Sequence, residues 1–204
     1  MSKKDLILIG GGGHAKACID VIELEGSFKI AGIVDLPEKL HQEVLGYEII
    51  ATDDDLPRLA QDYNYFFIAI GQIRSPAIRI KLFDMLNGLE VNLPSIVSPQ
   101  AYVSSHACIG NGTIVMHQAL INAGAVIADN CIINTKALIE HDSKINDHCH
   151  IATGAIINGC AEVGTGSFVG SGTVCNQAVK IGKNVVAGSG LRITEHLPDN
   201  MILR

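Results

Sequence analysis

The sequence contains few aromatic side chains and little charge of either sign. Only 4% of its 204 residues are aromatic, Trp is absent, and 18% are charged. Lys and Arg number 15 against 21 Asp and Glu, and the basic residues form no run. Because binding to nucleic-acid phosphates needs a cationic stripe, we predict no nucleic-acid partner.

Long hydrophobic runs are also absent. Runs such as Tyr65 to Ile70 are far shorter than the roughly 20 residues that cross a membrane. Residues Met1 to Lys4 lead directly into a short strand-like segment rather than into the apolar core of a signal peptide. We therefore expect a cytoplasmic protein with no membrane insertion.

The cysteines show no C-x-x-C spacing. In a reducing compartment, scattered cysteines are typical of small buried packing residues rather than of disulfides or zinc ligands. This interpretation applies to all six, which are Cys18, Cys108, Cys131, Cys149, Cys160 and Cys175.

Glycine, by contrast, is abundant with 21 residues, and the second half of the chain is repetitive. An inward-type residue, nearly always aliphatic, recurs at every sixth position: Val97, Val103, Ile109, Val115, Ile121, Ile127, Ile133, Ile139, Ile145, Ile151, Ile157, Val163, Val169, Cys175, Ile181, Ala187 and Ile193. A small residue stands two positions earlier up to Thr173, for example at Ala119, Ala125 and Cys131.

A period of six fits neither a helix nor a plain strand, but it fits a chain that repeats a short strand and a corner. The small partner leaves room for the opposite sides of a narrow prism, so large aromatic residues are excluded by volume. We predict a left-handed parallel β-helix of hexapeptide repeats, with three sides and about 18 residues per coil. Because Val179, Val185 and Leu191 replace the small residues, we expect the final coil to be splayed or adapted as a cap.

The first part of the chain alternates strand and helix patterns, which indicates a parallel sheet of the nucleotide-binding type. The predicted strands are Leu6 to Ile9, Lys29 to Asp35 and Tyr65 to Ile70, and the predicted helices are His14 to Glu25 and Pro76 to Leu86. We therefore predict an α/β domain over residues 1–93, equivalent to one Rossmann-like half, and the β-helix over residues 94–204.

The segment Gly10 to Ala15 satisfies G-x-G-x-x-A between a strand and a helix, and Asp35 ends the next strand. No second half follows that would hold a nicotinamide, so a single nucleotide or a nucleotide sugar is the favoured ligand. Backbone N–H groups at the helix start would bind its phosphates, and Asp35 would accept from a ribose hydroxyl or the base. A tight turn that binds nothing and an NAD-dependent enzyme remain the alternatives.

Histidines cluster in the middle of the predicted β-helix. His141 lies at a corner two places past Ile139, outside the predicted prism, and Gly159 lies one predicted coil later, directly above it. A histidine base next to a backbone N–H that binds an oxyanion is suited to acyl transfer. Asp142 is the chosen partner for the imidazole, and Glu140 is the alternative, which would otherwise join Asn122, Asn158 and Asn176 in a polar ladder.

Three nearby histidines also raise the question of a metal site. His141, His148 and His150 occupy different positions within their hexads, so they should not converge on one ion. We therefore predict no metal cofactor.

Motifs over nearly the whole chain resemble the bacterial sugar acetyltransferases. They are Gly10 to His14, Phe67 to Gly71, Ile133 to Thr135, Leu138 to His141 and Phe168 to Thr173. That family includes sialic-acid O-acetyltransferases and the N-acetyltransferases of nucleotide-linked amino sugars.

The resemblance implies a homotrimer, with acetyl-CoA lying along the β-helix between adjacent subunits and a nucleotide-sugar substrate held by the N-terminal domain. It assigns catalysis to His141, Asp142 and Gly159. Substrate contacts fall to Gly12, Gly13, His14, Asp35, Arg79 and Asn134, and CoA contacts to His150, Gly159, Ser171 and Gly190.

The implied activity is acetyl transfer to the amino group of a nucleotide-activated 4-amino-4,6-dideoxy sugar in surface-glycan biosynthesis, with His141 as general base. Transfer to a hydroxyl of sialic acid and a non-catalytic partner of a sialic-acid biosynthetic enzyme are the alternatives. Relatives usually continue with a Gly-x-Pro-Ala-like segment, whereas this sequence ends at Met201 to Arg204, so its contacts to the CoA adenine are expected to differ.

Overall fold

The computed structural model describes residues 3–204. Met1 and Ser2, part of the segment interpreted as lacking a signal-peptide core, lie outside this range. The N-terminal unit contains the strands β1 Lys4–Ile9, β2 Phe28–Val34, β3 Glu43–Val44, β4 Tyr47–Ala51 and β5 Tyr65–Ile68, and the helices α1 Gly13–Glu25, α2 Leu56–Asp62 and α3 Ala77–Gly88, with 3-10 helices at Pro37–Lys39 and Asp53–Asp55.

The five strands form one sheet in the order β3-β4-β2-β1-β5. The strands β4, β2, β1 and β5 are parallel, and β3 is an antiparallel edge strand on β4. Residues of α1 pack on one side of the sheet together with the β-helix, while α2 and α3 pack on the other side. The predicted parallel α/β unit is therefore confirmed, and β3, β4 and α2 are elements that the sequence patterns missed.

The remaining chain is a left-handed β-helix of two-residue strands. They are β6 Ile96–Val97, β7 Tyr102–Val103, β8 Cys108–Ile109, β9 Ile114–Val115, β10 Leu120–Ile121, β11 Val126–Ile127, β12 Ile132–Ile133, β13 Leu138–Ile139, β14 Lys144–Ile145, β15 His150–Ile151, β16 Ile156–Ile157, β17 Glu162–Val163, β18 Phe168–Val169, β19 Val174–Cys175, β20 Lys180–Ile181, β21 Val186–Ala187, β22 Arg192–Ile193 and β23 Ile202–Leu203. The second residue of each strand from β6 to β22 is the residue identified by the period of six, which confirms the hexapeptide fold.

The strands form the three faces of the prism. Face 1 contains β6, β9, β12, β15, β18, β21 and β23; face 2 contains β7, β10, β13, β16, β19 and β22; and face 3 contains β8, β11, β14, β17 and β20. Each strand from β6 to β19 pairs in parallel with the strand one coil later on the same face, so equivalent residues of successive coils stack. The inward residues form one continuous core from Val97 to Leu203.

The end of the prism remains regular. Val179 and Val185 are 5% and 0% exposed and belong to the core, and β22 pairs with β19 in the common register. Of the two alternatives predicted for the final coil, a splayed coil and a coil adapted as a cap, the splayed coil is therefore wrong. The larger side chains fill the interior, and Leu197, Met201 and Leu203 pack against its end.

The outer surfaces of the faces differ in composition. On face 1, the outward residues Ile96, Ile114 and Ile132 are buried in the cluster that includes α1. Face 3 presents mainly Cys108, Val126, Lys144, Glu162 and Lys180. Face 2 presents an apolar column, Tyr102, Leu120, Leu138, Ile156 and Val174, none of which belongs to a core cluster of residues 3–204.

Side chains also lock the N-terminal unit onto face 1. His117 bridges the two parts, with Nε2 2.8 Å from Asp20 Oδ2 on α1 and Nδ1 2.6 Å from the buried Ser98 Oγ. The amide of Gln72 donates to the carbonyl oxygen of His148 at 2.9 Å. These contacts fix the N-terminal unit relative to one face of the prism.

All six cysteines are free, and four of them are buried as predicted. Cys108 and Cys160 are exposed, which corrects the interpretation of every cysteine as a buried packing residue. Neither occupies an inward position of its hexad, because Cys108 is the outward residue of β8 and Cys160 lies in a corner. Within residues 3–204, no helix combines the length and apolarity that would let it cross a membrane.

Candidate active site

His141 and Gly159 meet at the edge between faces 2 and 3, which we call edge 2–3. A Cβ placed on Gly159 would lie 2.7 Å from Nε2 of His141, so the imidazole packs directly over the glycine. On its other side, the imidazole Nδ1 lies 2.9 Å from Asp142 Oδ2. The structure thus brings together the three residues assigned to catalysis, and the hydrogen bond from Nδ1–H to the carboxylate leaves Nε2 free to accept a proton.

The backbone N–H of Gly159 has no hydrogen-bond acceptor among residues 3–204. The side chain of Asn158, the preceding residue, does not accept from this N–H. It donates instead to the carbonyl oxygen of Cys175 at 2.8 Å. At the equivalent position two coils earlier, the Asn122 side chain accepts from the N–H of Ala123 at 2.8 Å. An unpaired N–H beside a histidine is the arrangement that binds a developing oxyanion.

Glu140, the alternative partner of His141, is engaged elsewhere. Its Oε2 accepts from the Asn122 amide at 3.0 Å and from the backbone N–H of His141 at 3.2 Å. The open groove along this edge, about 610 Å³ in volume, is lined by Glu140, His141, Asn158, Gly159, Asn176 and Gln177. The Glu140 carboxylate therefore stabilises the backbone of the corner and lines the groove. Asp142 is the residue that orients the imidazole.

Asn134, His150 and His14 gather near the opposite edge of face 2, where it meets face 1, which we call edge 1–2. The Nδ2 of Asn134 lies 3.0 Å from Nε2 of His150, and His150 Nδ1 donates to the carbonyl oxygen of Gln72 at 2.5 Å. The His14 ring lies 6.5 Å from the His150 ring, and its buried Nε2 has no partner among the described residues.

Burial keeps both of these histidines neutral. Burial, reinforced by the positive charge of Arg79 and by repulsion from His150 when that ring is protonated, lowers the pKa of His14 to about 4. Burial likewise lowers the pKa of His150 to about 4, against the opposing effect of its hydrogen bond to Gln72. At neutral pH, the His14 imidazole is therefore uncharged, with an unpaired Nε2 among the described residues.

The residues assigned to one site thus lie on two different edges of the prism within a single chain. His141, Asp142 and Gly159 are on edge 2–3, whereas Asn134 and the exposed Ser171 and Gly190 are on edge 1–2. Face 2 separates the two groups. The residues assigned to catalysis and those assigned to CoA or substrate contacts therefore do not meet within one chain, although they lie within a few coils of one another.

The glycine-rich turn lines a separate cavity of about 520 Å³ at the carboxyl ends of the parallel strands. Gly12 and Gly13 are exposed at the start of α1, which has no side-chain N-cap, so its first N–H groups face this cavity. His14, Lys39 and Lys81 also line it. The position and the two lysines suit a ligand with phosphate groups.

The carboxylate of Asp35 braces this turn. It accepts from the N–H of Gly11 at 2.8 Å and from Lys39 Nζ at 2.9 Å. Burial alone would raise the pKa of Asp35, but the hydrogen bonds from Lys39, Leu36 and Gly11 outweigh it and hold the pKa below its ordinary value. Asp35 lines the cavity as an ionised group that also shapes it.

The side chain of Arg79 is buried and does not line the cavity at the glycine-rich turn. It is 1% exposed, and its guanidinium donates to the carbonyl oxygens of Ile68 and Ile70 and to Asn130. Burial lowers its pKa to about 10, so the group is charged at neutral pH. The assignment of Arg79 as a direct substrate contact is corrected: it joins α3 and β5 to the β-helix.

Gln72 and Asn130 are site-shaping residues that the sequence interpretation missed. Gln72 links the loop after β5, which borders the nucleotide cavity, to His150, which is 78 residues later. Asn130 holds Arg79 across 51 residues. The only sequence signal near either residue was the motif ending at Gly71.

Comparisons with known proteins agree with this geometry. Residues 5–86 match the family described as PglD N-terminal domain. The chain is 31% identical to the acetyltransferase domain of PglB from Neisseria gonorrhoeae, with a TM-score of 0.89 over 98% of this chain and 96% of that one. The same domain of PglB has also been solved in complex with acetyl coenzyme A.

PerB from Caulobacter crescentus, solved with CoA and GDP-perosamine, is 32% identical, with a TM-score of 0.91 over 98% of this chain and 94% of that one. WeeI from Acinetobacter baumannii shares the fold, at 19% identity and a TM-score of 0.75 over 98% of this chain and 96% of that one. No curated protein matches the chain in sequence.

A two-domain fold with an acyl-transfer geometry on a hexapeptide β-helix defines an acyltransferase of the hexapeptide-repeat class. At 31% to 32% identity over nearly the full length of both chains, this protein belongs to the bacterial sugar acetyltransferases that use acetyl-CoA.

Proposed function

We propose that the protein transfers the acetyl group of acetyl-CoA to the amino group of a nucleotide-linked 4-amino-4,6-dideoxy sugar in surface-glycan biosynthesis. The observation that carries this proposal is that His141 is hydrogen-bonded to Asp142 and packs over Gly159, whose backbone N–H is unpaired among residues 3–204. The PglB structure with acetyl coenzyme A and the PerB structure with CoA and GDP-perosamine support the donor and the class of acceptor.

The reaction follows from the positions of these groups. The neutral imidazole of His141 takes a proton through Nε2 from the sugar amine as its nitrogen attacks the thioester carbon. The carbonyl oxygen becomes an oxyanion that accepts the N–H of Gly159, and Asp142 stabilises the imidazolium. The carbon–sulfur bond then breaks, and the CoA thiolate leaves and regains a proton from His141.

The nucleotide end of the substrate would occupy the cavity at the glycine-rich turn. Its phosphates would lie at the N–H groups of Gly12 and Gly13, close to Lys39 and Lys81. The neutral His14 lies between this cavity and Asn134, so it would meet the sugar portion. We also infer that the protein works in the cytoplasm, where its six free cysteines would remain reduced.

A homotrimer would complete this site. The apolar column on face 2 is suited to packing against other copies around a threefold axis. Cyclic symmetry places edge 2–3 of one subunit beside edge 1–2 of the next. His141 and Gly159 of one subunit would thus meet Asn134 and His14 of the partner subunit, with acetyl-CoA between them.

Subunit complementation tests this shared site. A His141→Ala variant and a His14→Ala variant, unfolded and refolded together in equal amounts, should recover about a quarter of wild-type activity, because about one interface in four combines both intact edges. Each variant refolded alone is the control. No recovery from a mixture that forms mixed trimers would show that each site belongs to one chain.

The first experiment on the reaction measures CoA thiol release from acetyl-CoA with GDP- and UDP-linked 4-amino sugars, CMP-sialic acid and free sialic acid. We expect turnover on an amino sugar and a fall in kcat of about 10² to 10⁴ in His141→Ala. His106→Ala, which removes an exposed histidine at the same edge two coils away, is the matched control. Turnover only with sialic acids would establish O-acetylation instead, and a decrease in the His141 variant below tenfold would exclude its role as base.

A further inference from the structure

Cys160 adds a third ligating group to the pair formed by His141 and Asp142. One ligand atom from each of the three side chains lies within 4.8 Å of the others, and all three residues are exposed. The nucleophilic chemistry proposed above uses the imidazole and the carboxylate but gives the thiol no role.

The fold holds these three groups together. Asp142 and Cys160 occupy equivalent positions of successive coils, so they stack, and both have left-handed backbones, with φ of 59° and 60°. The N–H of Cys160 donates to the carbonyl oxygen of His141 at 3.0 Å, which fixes the spacing between the coils. The cluster therefore belongs to the rigid prism rather than to a mobile loop.

An imidazole nitrogen, a carboxylate oxygen and a thiolate sulfur form a donor set that suits zinc and related divalent transition metals. Ligands of a tetrahedral ion lie somewhat closer together than 4.8 Å, and exposed side chains can rotate by that amount. Three protein ligands leave a fourth position for water. The buried His150 is excluded from such a role, because both of its ring nitrogens are engaged in hydrogen bonds.

We propose that His141, Asp142 and Cys160 form a divalent transition-metal site that overlaps the catalytic base. Bound zinc would take a ring nitrogen of His141 and the carboxylate that orients it, so the metal would act as an inhibitor of acetyl transfer. The inference of metal binding depends only on the cluster of these three side chains, whereas the inference of inhibition rests on the proposed function.

Cobalt titration of the full chain, first stripped of metal with a chelator, tests the binding. We expect one Co²⁺ per chain, a thiolate-to-cobalt charge-transfer band, and displacement of the ion by Zn²⁺. Cys160→Ser should lose the band and weaken binding by about tenfold or more, and Asp142→Asn should weaken binding but keep the band. Cys108→Ser, which removes the other exposed thiol, on face 3, should behave like the wild type.

Absence of the band, or a band that survives in Cys160→Ser, would overturn the proposal. Zinc inhibition of CoA thiol release is the second measurement, with each variant compared with its own metal-free rate. Inhibition should need about tenfold more zinc in Cys160→Ser than in Cys108→Ser. Cobalt binding with the expected band but no acetyl transfer on any sugar would refute the proposed function and leave the metal site established.

Discussion

The missing side chain at Gly159 is what allows the His141 imidazole to lie over the backbone. Its φ is not in the left-handed region, so alanine is compatible with the backbone, but the new Cβ would lie 2.7 Å from Nε2 of His141. We expect Gly159→Ala to displace the imidazole and lower kcat by about 10² or more with the fold retained. Steady-state kinetics and circular dichroism check this, with Gly88→Ala, where nothing lies within 4 Å of the new Cβ, as the control. Unchanged kcat in Gly159→Ala would mean that the imidazole is not held there.

The half-buried His14 and the buried His150 should make the protein sensitive to acid. The unfolded chain binds a proton on each histidine below pH 6.5, whereas folding keeps His14 and His150 neutral down to about pH 4. Their neutral forms thus contribute stability that is complete above pH 6.5 and is lost as pH falls towards 4. When the pH falls from 7 to 5, each of these two histidines should lower the free energy of unfolding by about 2 kcal/mol.

Urea denaturation at these two pH values measures this effect. His14→Asn and His150→Asn should each reduce the loss of stability on acidification. His41→Asn is the matched control, because that imidazole is 81% exposed and its left-handed backbone also accepts asparagine. Equal pH dependence in all three variants would contradict the burial argument.

The residues of edge 2–3 were predictable from the sequence, because a rigid coil of constant length converts sequence spacing directly into stacking. That arithmetic placed Gly159 above His141 without structural information. The same count places Asn134 one hexad before His141 and therefore on the preceding edge of the prism. The role of Gln72 could not be predicted from the sequence, because its contact with His150 depends on how the two domains dock.

At the scale of the elements, Arg79 connects α3, β5 and the β-helix. Arg79→Met should leave the carbonyl oxygens of Ile68 and Ile70 and the side chain of Asn130 without their donor. We expect the free energy of unfolding to fall by about 3 kcal/mol or more, because buried polar groups lose their partners. Urea denaturation at pH 7 measures the change.

Arg58→Met is the matched control for this substitution. Arg58 is 61% exposed and lies 3.5 Å from Asp55, so removing its charge should change stability by about 0.5 kcal/mol or less. A similarly small effect in Arg79→Met would show that the buried guanidinium does not hold the domains together.

The secondary-structure elements differed in how easily they could be predicted from the sequence. The strands of the β-helix repeat one pattern, and each hexad reinforces the register of the next. By contrast, β3 contains two residues and β4 follows it after the turn at Leu45 and Gly46, which is too short a segment for an alternating pattern to be recognised. The helix α2 contains seven residues and begins at Leu56 and Pro57 beside a 3-10 helix, so its helical period is also incomplete.

At the scale of the whole molecule, the column on face 2 should decide the oligomeric state. Leu138→Glu places a charge in the middle of this column, and we expect it to convert the proposed trimer into monomers because burying an unpaired carboxylate is costly. Val126→Glu, on the polar face 3, should leave the proposed trimer intact, although Val126 is 43% exposed. Analytical ultracentrifugation measures both, and a trimeric Leu138→Glu variant would place the interface elsewhere.

The repeat also constrains how the length of this chain can change. Loss of three consecutive hexads between Ile96 and Lys136 would shorten the prism by one coil but return every later residue to its original side. Loss of a single hexad would instead turn everything that follows through a third of a revolution. His141 and the groove that it lines would then turn together to another side relative to the N-terminal unit, although no residue near them had been altered. Only insertions and deletions of whole coils in this half of the chain should therefore keep the reacting groups in their original orientation, because that orientation depends on the number of hexads that precede them.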